Sequence, residues 1–309
     1  MTITLAPIDT VEDLQRCEEL QKAIWGFEDI AIVPQHLMLT AVKSGGLALG
    51  AFESEGAKPI TSGARKTLQE SQIAGLSAKQ KMIGFLFGFP GVEAGKLKHC
   101  SLMCGVLPDK RFQGVGYDLK CAQREFVIRQ GLELVTWTFD PLQSSNAHFN
   151  LRKLGVVAQR YERNVYGNMR DRLNQGLDTD RFMVEWWVKS ERVRARIDQK
   201  KTPTSDQILA STQTVNSTVR EKGLLVNRNY SLTLKAPRLL VEVPHRIAQL
   251  KEKDAELAKR WRHETREIFE AYLHQGYWVT ELATQELAGE QRSFYLLEQA
   301  ALEEILERT

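Results

Sequence analysis

Cysteine is scarce in this chain. Four occur in 309 residues, Cys17, Cys100, Cys104 and Cys121, with no Cys-x-x-Cys pair among them. Neither a disulfide framework nor a zinc site is indicated, no metal is expected, and buried thiols are the natural reading. Long apolar runs are missing too. No stretch approaches the roughly 18 consecutive apolar residues of a membrane span, and the opening MTITLAPIDTVEDLQ lacks the basic-then-apolar order of a secretory leader. A cytoplasmic protein with no membrane partner is expected. Charge of one sign is lacking as well: 42 Lys and Arg against 39 Asp and Glu leave +3, too little to imply a nucleic-acid partner, and the basic run KSERVRARIDQKK at 189–201 reads as a solvated connector. What is present is a hydrophobic content of 42%, which suits one large or two medium domains with a sizeable core.

The pattern of apolar residues orders the elements. TITLAP alternates like a short strand, and Asp9-Thr10 caps a run with Leu14, Cys17, Leu20 and Ile24 at helical spacing. Pro34 opens a second helix, which Gly45-Gly46 ends. LALGAFE and MIGFLFGFP read as buried strands, separated by a polar stretch, 54–81, that is long for a hairpin and has room for helix of its own. HCSLMCGVLP supplies another strand. Leu119, Ala122 and Phe126 mark a helix over 116–130, Gly131 stops it, and LELVTWTFD follows as a strand rich in β-formers. NAHFNLRKLG adds a short helix and RFMVEWWV a further strand.

Between the strand ending at Pro108 and the helix after it lies RFQGVGYDLK, 111–120, with two glycines and an arginine in six positions. An anion-binding turn needs glycine so that backbone N–H groups can approach phosphate oxygens, and the start of the next helix adds a partial positive charge. A Walker loop would require Lys and Ser or Thr at fixed offsets, and a dinucleotide fingerprint would require glycine at position 119, which is Leu119. Both fail on spacing. On its own a lone Gly-x-Gly reads first as an ordinary tight strand-to-helix turn with no ligand.

The longer segment GVLPDKRFQGVGYDLKCAQREFVIRQGLELVTWTFDPLQSSNAHFNLRKLGV, 105–156, resembles the core of the GCN5-related N-acetyltransferase superfamily, whose Arg/Gln-x-x-Gly-x-Gly/Ala signature is matched by Arg111, Gly114 and Gly116. In element order the resemblance runs from residue 1 to about 188. It is closest to a bacterial subgroup that carries TFDPLxSxNAHFNLxKLG and a long C-terminal extension, and that includes acyltransferases acting on amino acids with succinyl-CoA. The resemblance implies an α/β fold of the α+β kind, a central mixed sheet flanked by helices. It implies acetyl-CoA or another acyl-CoA as co-substrate. The amides of Gln113, Gly114, Val115, Gly116 and Tyr117, with Arg111, would hold the coenzyme A pyrophosphate. The strand residues Met103, Cys104, Gly105 and Val106 would pair with pantetheine amides, and a backbone N–H there would stabilise the oxyanion formed on amine attack. Asn146, Asn150 and Lys153 fall on the helix expected to flank coenzyme A, where a solvated helix face would look similar.

The sequence departs from the family at Leu151, which stands where many members carry the tyrosine that protonates the departing thiolate. Tyr161 and Tyr166 are the candidate replacements, with water, or a purely structural role for both, as the alternatives. His99 and Asp140 are the candidate general bases, lying on or at the end of strands expected to flank the acyl group; a structural histidine and a turn-forming Asp140-Pro141 are the competing readings. Trp25, Trp137 and His36 are candidates for lining an acceptor pocket, against core packing. Cys104 reads as a buried strand thiol and not as a covalent relay.

The C-terminal part shows an internal echo. RLLVEVP ends in Val-Pro as CGVLP ends in Leu-Pro; a helix over 254–274 with Leu257, Trp261, Thr265, Ile268 and Tyr272 on one stripe follows; and LHQGYWVTEL mirrors IRQGLELVTW. Residues 224–309 are therefore read as an α/β domain, a degenerate copy of the acyltransferase half without Gly-x-Gly, with chance similarity as the alternative. Residues 1–188 form the acyltransferase domain and 189–223 the connector, in which Pro203 and the Ser/Thr-rich run argue against one long helix. The expected function is acyl transfer from coenzyme A to a primary amine of a small molecule, such as an amino acid, by direct attack, in a chain that leaves room for a homodimer. A coenzyme A-binding regulatory protein without turnover is the alternative.

Overall fold

A computed structural model describes residues 2–54, 80–111, 113–167, 169 and 175–308, and the chain divides into two units, Met1–Val135 and Thr136–Thr309. In the first, the alternating TITLAP forms β1 (Thr2–Pro7). Thr10 then caps α1 (Val11–Trp25), its Oγ1 accepting from Asp13 N, and Leu14, Cys17, Leu20 and Ile24 are buried at the expected spacing. Pro34 precedes α2 (Gln35–Lys43). Three strands follow, β2 (Leu47–Ser54), β3 (Lys81–Glu93) and β4 (Lys96–Val106), and β1 to β4 pair antiparallel in chain order. The helix given room between the second and third strands falls at 55–79, outside the described residues.

The sheet is covered on both faces. On one, Ala48, Phe52, Phe85, Phe87 and Met103 pack with Leu14 and Cys17 of α1 and Met38 of α2. On the other, Leu49, Ile83 and Leu86 pack with Val115 and Leu119 of α3 (Val115–Arg129). A break in register decides which β4 residues look which way. Phe87 faces Met103 but Gly88 faces Ser101, so Leu102 is an extra residue, a β-bulge that shifts the alternation by one. Ser101 and Cys104, an odd number of residues apart, consequently both meet the α3 side, while Met103 and Gly105 meet α1.

The second unit opens with β5 (Leu134–Phe139), which begins at the end of the first. Next come α4 (Ser144–Ala147), which runs into a π-helical segment His148–Leu154, then β6 (Val157–Glu162) and β7 (Arg181–Trp187). The segment expected as a connector is built from α5 (Glu191–Ile197), α6 (Ser205–Leu209), β8 (Gln213–Thr214) and β9 (Asn216–Glu221), with no long helix among them. The solvated reading of 189–201 is corrected: Arg192 and Arg196 are buried, because they stand one helical turn apart on α5 and both meet the carboxylate of Glu281. The remainder is β10 (Leu224–Tyr230), β11 (Arg238–Val243), α7 (Ile247–Lys253), α8 (Ala255–His274), β12 (Tyr277–Leu287), β13 (Glu290–Gln299) and α9 (Leu302–Glu307).

Strand order in this unit is β5-β7-β6-β12-β13-β11-β8, with β9 and β10 forming a separate ribbon. The stripe Leu257, Trp261, Thr265, Ile268 and Tyr272 of α8 is buried as its spacing requires. The C-terminal part thus forms a sheet with a helix on it. Its winding, β11 to α8 to β12 with β13 returning between the two strands, is that of β5 to the π-helical segment to β6 with β7 returning between them. Among the described residues no helix is long and apolar enough to cross a membrane.

Candidate functional site

The turn after β4 has a conformation that its glycines explain one by one. Residues 108–110 make a single 3-10 turn. Gly114 is the N-cap of α3 at φ +86°, a left-handed conformation that side chains other than glycine adopt only with strain, and no side chain caps the helix. The first intrahelical bond runs from Asp118 N to Gly114 O at 3.0 Å, so the amides of Val115 and Gly116 precede it and point out of the helix start. Gly116 differs from Gly114. Its φ is ordinary, and a Cβ there would meet only Val106 Cγ2, at 3.8 Å. Neither backbone nor packing calls for glycine at 116. A Cβ would fill the space beside the first amides of the helix, which is the space an anion at a helix start needs. Arg111 is exposed at the other end of the turn, its Nη2 donating to Ile24 O at 3.5 Å, and Gln113 is exposed.

Upstream, the bulge at Leu102 sits directly before residues 103–106, and Leu102 itself is 45% exposed. Trp25 lies on Gly105: a Cβ there would come within 2.8 Å of its ring. The indole also stacks on Phe27 with ring centroids 5.4 Å apart and meets Phe85 edge-on. Trp25 is thus partly core and partly the cover of the strand expected to take pantetheine, while His36 is exposed on α2.

His99 is fully buried on β4, edge-on to Phe126, and among the described residues neither ring nitrogen has a hydrogen-bond partner. Burial, and then the neighbouring Lys120 charge, push its pKa down to about 4, so the ring is neutral at neutral pH. Its neighbours come from another element and no local pattern announces them. Lys120 of α3 is buried, its Nζ donating to Gln123 Oε1 at 2.8 Å and to Ser101 Oγ at 3.1 Å, and desolvation brings its pKa down to about 7. Cys104 is held as a thiol by burial, which raises its pKa.

In the second unit the two candidate tyrosines differ. Tyr161 on β6 is packed against Phe182 and Phe269, and its hydroxyl donates to Asp180 Oδ2 at 2.7 Å. Burial, opposed by Arg262, raises its pKa. Asp180 is itself fixed by Arg266 at 2.8 Å and by Asn164 N at 3.0 Å. Tyr166 is 49% exposed; its hydroxyl lies 2.9 Å from Thr138 Oγ1 of β5, and the Arg181 guanidinium sits 5.3 Å from its ring centroid. Asp140 accepts from Leu142 N at 2.8 Å and from the buried Arg262 Nη2 at 2.7 Å, the pattern of an anchored turn carboxylate. Leu151 is fully buried.

The coenzyme-flanking candidates also separate. Asn146 and Lys153 are exposed. Asn150 is buried and accepts from Trp137 Nε1 at 3.2 Å, while Trp137 meets Trp186 edge-on. Arg152, beside Lys153, donates to Leu282 O and Pro203 O.

No family model and no curated protein sequence matches the chain. Solved structures similar to it include the NatC complex bound to Gag peptide and CoA, at 14% identity over 60% of this chain and 98% of the other, TM-score 0.43. The ribosomal-protein-S18-alanine N-acetyltransferase from Escherichia coli matches at 14% identity over 60% and 94%, TM-score 0.41. A GNAT family acetyltransferase from Elizabethkingia anophelis with acetyl-CoA bound matches at 13% identity over 60% and 97%, TM-score 0.37.

Proposed function

We propose that the chain is an acyl-CoA-dependent N-acyltransferase that moves an acetyl or succinyl-type group to the primary amine of a small molecule, with an amino acid as the preferred acceptor. The observation that carries this reading is the start of α3: a left-handed Gly114, no side-chain cap, and open space over Gly116. Residues 1–188 are the transferase part and 224–309 its support.

Within that reading Arg111, Gln113, Gly114, Val115, Gly116 and Tyr117 hold the pyrophosphate, and residues 103–106, set by the bulge at Leu102, take the pantetheine arm. Asn146 and Lys153 are the exposed flanking contacts, and Asn150 positions Trp137. The acyl-CoA supplies an activated carbonyl, and the neutral amine attacks it directly. Tyr166 is the better proton donor to the departing thiolate, since its hydroxyl is accessible on Thr138, whereas that of Tyr161 is committed to Asp180. With His99 buried and Asp140 bound by Arg262, the amine's proton passes to water.

The test is release of free thiol from acetyl-CoA and from succinyl-CoA against a panel of amines that includes both enantiomers of the amino acids. Acceptor-dependent release supports the proposal. Coenzyme A binding without release from any pair would instead favour a regulatory binder, a reading that the fully buried Leu151 keeps in play.

A further inference from the structure

The second unit contains a cavity of about 150 Å³ that the proposed transfer does not use. Its walls carry four arginines, Arg192 and Arg196 of α5, Arg238 of β11 and Arg308 beyond α9, with Glu281 and Glu298. The walls hold two more positive charges than negative in a partly enclosed space where water screens poorly, and one of the four arginines, Arg308, is also met from outside the walls by the exposed Glu304 at 4.0 Å. The arginines are not equally committed. Arg192 donates through Nε to Gly155 O at 3.0 Å and through Nη2 to Glu281 Oε1 at 2.8 Å. Arg196 donates to Lys201 O at 2.9 Å and to the same Glu281 oxygen, yet among the described residues its buried Nε has no partner, and neither has the other Glu281 oxygen, Oε2. Arg308 donates to Glu298 Oε1 at 2.8 Å and Arg238 stands 3.7 Å from the same oxygen, each with about half of its side chain exposed. An adjoining cleft of about 340 Å³ shares Pro203 and Gln207 and adds Lys201 at its rim.

A cluster that served only to join elements would be expected to balance its charges and satisfy its buried donors. This one does neither, and its excess is positive. We propose that the cavity is a binding site for a small oxyanion carrying two negative charges, of phosphate or short dicarboxylate size, held by the Nε of Arg196 together with the half-exposed Arg238 and Arg308. The volume, below the roughly 300–1,000 Å³ of ordinary small-molecule pockets, limits the occupant to a few heavy atoms. Arg196 ties the site to α5 and β12 through Glu281, so an occupant would stiffen the second unit.

The experiment is calorimetric titration of the full-length chain with inorganic phosphate and, separately, with succinate, at ionic strength held constant with chloride. Because phosphate is also expected at the start of α3, the titrations are repeated with Gly116→Leu. Saturable binding of one dianion per chain should persist in Gly116→Leu and weaken about tenfold or more when Arg238 and Arg308 are both changed to Ala, since each supplies a charged hydrogen bond. Should the double variant fail to fold, Arg308→Gln alone, at a half-exposed side chain, should weaken binding in the same direction. Whichever anion binds more tightly identifies the occupant. Absence of saturable binding of either anion, or binding equal to wild type in the folded arginine variant, overturns the proposal and leaves a structural ion-pair network.

Discussion

Two helices in this chain lie downstream of a strand that ends in an apolar residue and proline, α3 after a single 3-10 turn and α8 after the short α7, and their first turns are built differently. α3 comes after Leu107-Pro108 and begins at Gly114 with no side-chain cap. Beyond Val243-Pro244 the long helix α8 begins at Asp254, whose carboxylate accepts from Leu257 N at 2.9 Å, with Glu256 in its first turn. Both helices carry an acidic residue in the first turn, Asp118 in α3 and Glu256 in α8, but only α8 has its first amides capped by a side chain of the chain itself. One coenzyme A per chain is the expected stoichiometry.

The sharpest way to break this contrast is to fill the space over Gly116. Gly116→Leu should leave the fold intact, since a Cβ there meets nothing closer than 3.8 Å, yet weaken coenzyme A binding on the order of 100-fold by displacing pyrophosphate from several charged hydrogen bonds. Calorimetry on a variant with unchanged circular dichroism measures this. Undiminished affinity would remove α3 from the binding site.

A second contrast separates the tyrosines. Tyr166→Phe should lower turnover on the order of 100-fold, with coenzyme A affinity nearly unchanged, because a general acid is needed only as the thiolate leaves. Tyr161→Phe should instead cost stability, since it leaves the fully buried Asp180 short of one donor. Steady-state rates and thermal melts on both variants separate the roles. The opposite pattern, a fast Tyr166→Phe and a slow Tyr161→Phe, would transfer the acid to Tyr161.

How much of this was legible in the sequence depended on whether the signal was local. The Thr10 cap, the stripe of α8 and the strands flanking Gly114 follow from short-range spacing and formed as expected. The Gln-Gly echo also has a local cause: Gly131 and Gly276 both stop a helix at positive φ, each N–H returning to the carbonyl three residues back at 3.0 Å. The same order of winding is found in β5 to β7 and in β11 to β13. Hidden were features set by partners distant in sequence. The bulge at Leu102 changes which β4 residues share a face, so strict alternation could not pair Ser101 with Lys120. Arg192 and Arg196 look like solvent-facing charges until Glu281, more than 80 residues away, supplies their counter-charge. Tyr161 and Tyr166 are indistinguishable by type and neighbourhood, and only Asp180 and Thr138 separate them.

Lys120 offers a comparison within the first unit, between an ordinary lysine and one buried beside His99 and Cys104. Its pKa of about 7 lies below its ordinary value of 10.5. Between these limits the unfolded chain holds a proton that the folded chain has released, so stability should rise with pH from about 7 to 10.5, and the cost of burying the charge is fully present below pH 7. His99 acts in the same direction at lower pH, between about 4 and 6.5. Lys120→Met keeps the volume and leaves Ser101 Oγ to donate to Gln123 Oε1, already 3.2 Å away. The variant should be more stable than wild type near pH 6, by on the order of 1 to 3 kcal/mol, with the advantage shrinking as pH rises toward 10.5. Urea denaturation at several pH values reads the difference. A constant gap would mean that Lys120 does not titrate in this range.

The smallest expected effect tests the other helix. Asp254→Ala removes the α8 cap, leaving the Leu257 N–H without its carboxylate, and should cost about 1 kcal/mol of stability. It also frees that helix start from its own anion. If the absence of a second coenzyme A site were due to the cap alone, the variant would gain affinity for a second pyrophosphate. It should not, because Gly-x-Gly is missing and Glu252 and Glu256 remain nearby to repel phosphate. The expected result is a modest fall in the denaturation midpoint with one coenzyme A per chain at unchanged affinity. A second binding event in Asp254→Ala would show that the cap, and not the glycines, makes the two helix starts different.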